Sequence, residues 1–135
     1  MTMNVFVAFS SNCDDSIRNE VMTSLLQSFE RVQQSITIHD SKDVYMEQFA
    51  DQGGWDGYVN YVSQGCNFYS RKQNFDIIVC PEQRVGKATA ELVRKFIEKS
   101  KPVFLLDDTK FYHVKNVIVE DSENWQNGWL LDIIT

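Results

Sequence analysis

The 135-residue chain has no apolar run that approaches the ~20 residues a membrane-crossing helix needs. Its opening stretch, Met1 to Asn12, has neither a basic n-region nor a long apolar segment, which argues against a secretory signal. Three cysteines (Cys13, Cys66 and Cys80) are too few and too scattered for a disulfide framework or a zinc site. A reducing, cytoplasmic setting is therefore expected, with no metal. There is no Walker loop and no G-x-G-x-x-G, so neither standard phosphate cradle is present. Basic charge is scarce: the net charge is −6, and residues 1–67 carry nine acids against three bases, while residues 68–135 carry ten of each. Non-specific nucleic-acid binding needs a broad basic face, and this balance argues against such a partner. The local basic stretch Arg71, Lys72, Arg84, Lys87, Arg94, Lys95, Lys99 and Lys101 reads either as a solvated helix face or as a region favouring a ligand phosphate.

Hydrophobic residues at 43% and charged residues at 24% are ordinary for a globular protein and exclude disordered and collagen-like classes. Short, continuous apolar runs alternate with helical patterns. The runs are Val5–Phe9, Ile36–Ile38, Phe75–Cys80, Val103–Leu106 and Val117–Val119. Such runs, lacking polar alternation, suit strands covered on both faces. Between them, Ile17, Val21, Leu25, Phe29 and Val32 recur at helical spacing, with Asp14-Asp15-Ser16 positioned to cap. Tyr58, Val62, Cys66 and Tyr69 form a second stripe after Gly53-Gly54, and Ala88, Leu92, Val93, Phe96 and Ile97 a third after Gly86. Pro102 ends the third helix. Trp125 to Ile134 reads as a short terminal helix, and residues 41–57 as an irregular, mobile loop. The expectation is a single α/β domain over residues 1–135: three layers around a five-stranded, mostly parallel sheet of Rossmann/flavodoxin-like type.

In an open parallel sheet, ligands bind beyond the carboxyl ends of the strands. That rule selects Ser10-Ser11-Asn12, Asp40-Ser41, Pro81 to Lys87, Asp107-Asp108 and Glu120-Asp121. Ser10, Ser11 and Asn12 can hold a sugar or phosphate, or simply cap a helix. Pro81 to Glu91 is the most informative segment: it follows an apolar strand, turns at Gly86, and places Arg84 and Lys87 near any phosphate. Glu91 stands in the first or second turn of the next helix, where a carboxylate can act as nucleophile or steady a cationic, sugar-like transition state. A helical wheel sets Glu91 almost opposite the apolar face, beside Arg94 and Glu98, which fits a surface glutamate instead. Asp51 and Asp56 flank Gly53-Gly54-Trp55; such acids beside an aromatic suit ribose hydroxyls and a stacked base, or equally a polar loop around one buried tryptophan. His39 and His113 make no triad with any serine. Cys80 reads as a core thiol.

The stretches Val5-Phe6-Val7-Ala8-Phe9-Ser10-Ser11, Phe75-Asp76-Ile77-Ile78-Val79-Cys80-Pro81, and Val85-Gly86-Lys87-Ala88-Thr89-Ala90-Glu91 followed by Lys101-Pro102-Val103, resemble the nucleoside 2-deoxyribosyltransferase-like group, which includes nucleotide N-glycoside hydrolases. The resemblance covers the whole chain in layout and about 25 residues in motif. It implies cleavage or transfer at an N-glycosidic bond, with Glu91 attacking the anomeric carbon and no cofactor. The chain departs from the pattern in that four residues after Gly86 lies Ala90, not Glu91, and in that Asn67-Phe68-Tyr69-Ser70-Arg71 replaces an acidic residue before the central strand. The opening Val5 to Ser10 also resembles Toll/interleukin-receptor-like domains, whose enzymatic members cleave NAD at the same bond type. The expected partner is thus a nucleoside, nucleotide or NAD-like small molecule, with Asp40, Asp51 or Asp56 on ribose hydroxyls and a homo-oligomer completing the site. The alternative is a non-catalytic nucleotide-binding or protein-interaction module of the same fold.

Overall fold

A computed structural model describes residues 1–9, 13–64 and 75–134. The elements in chain order are β1 (Met3–Val7), α1 (Asp15–Arg31), β2 (Ile36–Asp40), α2 (Ser41–Gln48), a 3-10 turn (Ala50–Gln52), α3 (Trp55–Ser63), β3 (Ile77–Cys80), β4 (Arg84–Val85), α4 (Lys87–Glu98), β5 (Val103–Asp107), β6 (Lys110–Val119) and β7 (Trp129–Ile133). One sheet holds all seven strands in the order β2-β1-β3-β5-β6-β7-β4.

The first four strands in that order are parallel, as alternating strands and helices require. Side chains alternate across them and divide the core in two. Val5, Val7, Ile77 and Val79 pack against α1 through Leu25, Val21 and Phe29. Phe6, Ala8, Ile78 and Cys80 face the other way, toward Tyr45 of α2, Tyr58 and Val62 of α3, and Leu92, Val93 and Phe96 of α4. Three layers result, with one helix on one face and three on the other.

The remaining strands correct the expectation of five mostly parallel strands. After β5 the chain makes a tight hairpin at Asp108, whose φ is 57°, and β6 returns antiparallel, pairing Asp107 with Lys110. His113 therefore lies on β6. The segment Trp125 to Ile134 is no helix: Trp129 to Ile133 pair antiparallel with β6, and Trp129 and Leu131 are buried. Residues 41–57 are no irregular loop either, since α2, the 3-10 turn and the start of α3 occupy them. Buried Tyr45, Phe49 and Tyr58 supply the apolar anchor there. Cys66 and Tyr69 of the expected second stripe lie outside the described residues.

The pairing of β4 with β7 dictates the shape of the sheet. Four residue steps join Cys80 to Arg84, a reach of at most about 14 Å. Laid flat, the four strand spacings from β3 to β4 would need about 19 Å. The β6–β7 end must therefore curl back over the carboxyl edge of β3. A register shift between Val114 and Asn116 marks the irregularity in β6 that allows this, since such bulges bend a strand and increase its twist. Two bonds lock the curl: Leu131 N–H donates to Gln83 O at 2.9 Å, and the Gln83 side-chain amide donates to Leu131 O at 3.1 Å. Among the described residues, no helix is long and apolar enough to cross a membrane.

Candidate functional site

The curl encloses a cavity of about 380 Å³ at the carboxyl edge of the sheet. Four pieces of chain build it. The end of β1 brings Ala8 and Phe9; α2 and α3 bring Tyr45, Trp55 and Tyr58; the β3–α4 connection brings Glu82, Arg84 and Gly86; and the β6–β7 loop brings Trp125, Gln126 and Asn127.

The aromatic wall is packed before any ligand arrives. Tyr45 and Tyr58 stack with ring centroids 4.3 Å apart, and Trp55 leans on Tyr58 at 4.9 Å. The Lys42 ammonium lies 5.8 Å from the centre of the Trp55 ring, a cation–π distance. Burial pushes the Tyr45 hydroxyl well above its ordinary pKa, an effect strengthened by Tyr58 and partly offset by the Thr89 hydroxyl. Burial raises Tyr58 as well. Both phenols stay protonated at neutral pH and keep their O–H donors.

The floor is the start of α4. No side chain caps this helix and its first turn holds no acid, so backbone amides and the positive end of the helix dipole face the crevice. One of those amides is already used: Lys87 N–H donates to Trp125 O at 2.8 Å. Gly86 allows that approach, because a Cβ there would lie 2.7 Å from Trp125 O and 2.9 Å from Gln126 O. Phe9 is fixed from behind. Its N–H donates to the Oγ of fully buried Ser41 at 2.9 Å, and the Arg18 guanidinium sits 5.7 Å from its ring centre.

Of the residues expected at the site, Arg84 and Gly86 line the cavity. Arg84 is ion-paired with Glu120 across the curled hairpin. Lys87 and Glu91 are adjacent but not part of the lining; they pair with each other one helical turn apart. The Glu91 side chain is only 17% exposed, more enclosed than the helical wheel suggests. Its Oε2 is buried and has no hydrogen-bond partner among the described residues. Asp40 is buried and fully engaged: Oδ1 accepts from Lys42 N–H at 2.8 Å, capping α2, and Oδ2 accepts from Arg18 Nε at 2.9 Å and pairs with Arg18 Nη2. Asp51 and Asp56 are exposed and line no cavity among the described residues. Ser10, Ser11 and Asn12 lie outside the described residues.

Sequence reasoning missed Tyr45, Thr89, Gln126 and Asn127. Tyr45 sat in a stretch read as a loop, and the two amides in one read as a helix. Asn127-Gly128, a strong turn dipeptide, was the available signal for the hairpin. A second cleft of about 360 Å³ opens on the α1 face, bounded by Cys13, Glu20, Asp108 and the other side of Glu82. Among the described residues no cluster of histidine, cysteine or carboxylates could hold a metal ion. No family model, curated protein or solved structure matches the chain.

Proposed function

We propose that this protein binds a nucleoside- or nucleotide-like small molecule in the crevice at the carboxyl edge of β1 and β3. One observation carries the reading: Tyr45, Trp55 and Tyr58 form an aromatic wall beside the uncapped start of α4, in a cavity whose size suits a small ligand. A planar ring stacks on such a wall, and the polar remainder meets backbone amides and Thr89. A reducing, cytoplasmic setting belongs to the same reading and is supported by the free thiols Cys13 and Cys80. Self-association belongs to it too, with the apolar side chains of Ile17 and Leu26 on α1 and Val32 at its C-cap individually exposed for contact. The net charge of −6 weighs against a nucleic-acid partner.

Cleavage or transfer at an N-glycosidic bond through Glu91 is the second reading. The buried Oε2 without a partner favours it, since an unsatisfied carboxylate oxygen is costly to maintain. For this chemistry Lys87 must release the carboxylate toward the cavity. The test is to incubate the protein with nucleosides, nucleotides and NAD, recording binding by calorimetry and free base by chromatography. Binding without base release supports the first reading. Base release that Glu91→Gln abolishes supports the second, and release that survives in Glu91→Gln removes Glu91 from the chemistry. A protein that binds none of the compounds contradicts both.

A further inference from the structure

The β6–β7 loop is built more rigidly than a connection needs to be. Asn124 Oδ1 accepts from the N–H groups of Gln126 at 3.2 Å and Asn127 at 3.3 Å, and its side-chain amide donates to Asn127 Oδ1. Gly128 N–H donates to Asn124 O at 2.9 Å, and Gly128 O accepts from both Glu120 and Asp121. The loop then docks on α4 through the Lys87–Trp125 bond. This frame fixes the backbone of Gln126 at the cavity rim, and the exposed side-chain amide makes no hydrogen bond among the described residues. A primary amide offers a donor and an acceptor side by side, the pattern that reads the edge of a heteroaromatic ring.

The charges around the cavity narrow the ligand further. Arg84 is committed to Glu120 and Lys87 to Glu91. Glu82 makes no ion pair among the described residues and faces the same space. A phosphate here would meet an unneutralised carboxylate. The remaining α4 amides can also donate to a neutral carbonyl acceptor.

We propose that the cavity selects an uncharged nucleobase or nucleoside over its phosphorylated form, and that Gln126 is the residue that discriminates among bases. The proposal rests on the binding reading above. Its test is calorimetric titration with adenosine, guanosine, cytidine and uridine, each against its 5′-monophosphate, in wild type, Gln126→Ala and Gln126→Glu. The expected result is that the preferred nucleoside binds at least about tenfold tighter than its monophosphate, through like-charge repulsion. Gln126→Ala weakens that nucleoside about three- to tenfold, the worth of one neutral hydrogen bond, and levels the ranking of the bases. Gln126→Glu, which can only accept, shifts preference toward guanosine, whose N1–H and 2-amino group donate side by side. A monophosphate that binds more tightly than its nucleoside, or a base ranking unchanged in Gln126→Ala, overturns the proposal while leaving the binding reading intact. No binding by wild type to any of the probes overturns both.

Discussion

Asp40 shows how a residue's type can mislead about its role. At the end of a strand it has the position of a ribose-binding acid, but Arg18, 22 residues earlier, takes one carboxylate oxygen and the Lys42 amide of α2 takes the other. Nothing local in the sequence announces that partner. Replacing Asp40 by alanine leaves the largely buried Arg18 guanidinium with only the exposed Asp15 as a partner and removes a helix cap, so unfolding free energy should fall by on the order of 3 kcal/mol. Chemical denaturation would measure this. A stable Asp40→Ala protein would show that the pair contributes little. Cys80, by contrast, was legible: an apolar run placed it in the core, and it is fully buried with its thiol pushed up to about 12 by desolvation. It should resist a thiol reagent at pH 8 until the protein unfolds, whereas the half-buried Cys13 should react first. Rapid native labelling of Cys80, read by peptide mass spectrometry, would contradict this placement.

Among the elements, those with a single pattern were readable and those with two were not. Helix α1 announces itself through five apolar residues at helical spacing and an Asp14 cap, whose carboxylate accepts from Ile17 N–H. The central parallel strands are continuous apolar runs. Strand β7 fails this test, because Trp129, Leu131 and Ile133 alternate while Trp125 and Trp129 also lie one helical turn apart. Tertiary pairing with β6, not propensity, decides the outcome. Gly128 is the hinge of that hairpin: a Cβ there would collide with Asp121 O and lie 2.6 Å from Asn124 O. Gly128→Ala should therefore cost about 2 kcal/mol through overpacking and disorder the Trp125–Asn127 wall. Loss of ligand binding with α1 and the parallel strands intact, followed by amide hydrogen exchange, is the expected signature. Unchanged exchange across residues 120–128 would show that the loop accommodates the methyl.

At the scale of the molecule, the sequence pattern revealed the class and the carboxyl-edge location of the cavity, but not the curl that closes it. That curl depends on a bulge and on a two-residue strand, both invisible to periodicity. The buried acids of this core also set a limit on alkaline stability. An unfolded thiol titrates near pH 8.5, while Cys80 holds its proton to about 12. Between those values the unfolded state has lost a proton that the folded state keeps, so stability falls as pH rises. Tyr45 and Tyr58, also raised, add to the fall from about pH 10. Thermal melts from pH 7 to 11 should show a midpoint that declines above about pH 8.5, more steeply in wild type than in Cys80→Ala. Equal slopes in the two proteins would remove the thiol from this account.

The tie between Gln83 and Leu131 has a temporal meaning. The recess is walled on one side by Ala8 to Tyr58 and on the other by Trp125 to Asn127, which are synthesised well after them. A nascent polypeptide stopped before Leu131 has its tyrosine stack but no roof above it. Any ligand that needs both walls must therefore wait until the later one has been made and has folded back onto the earlier.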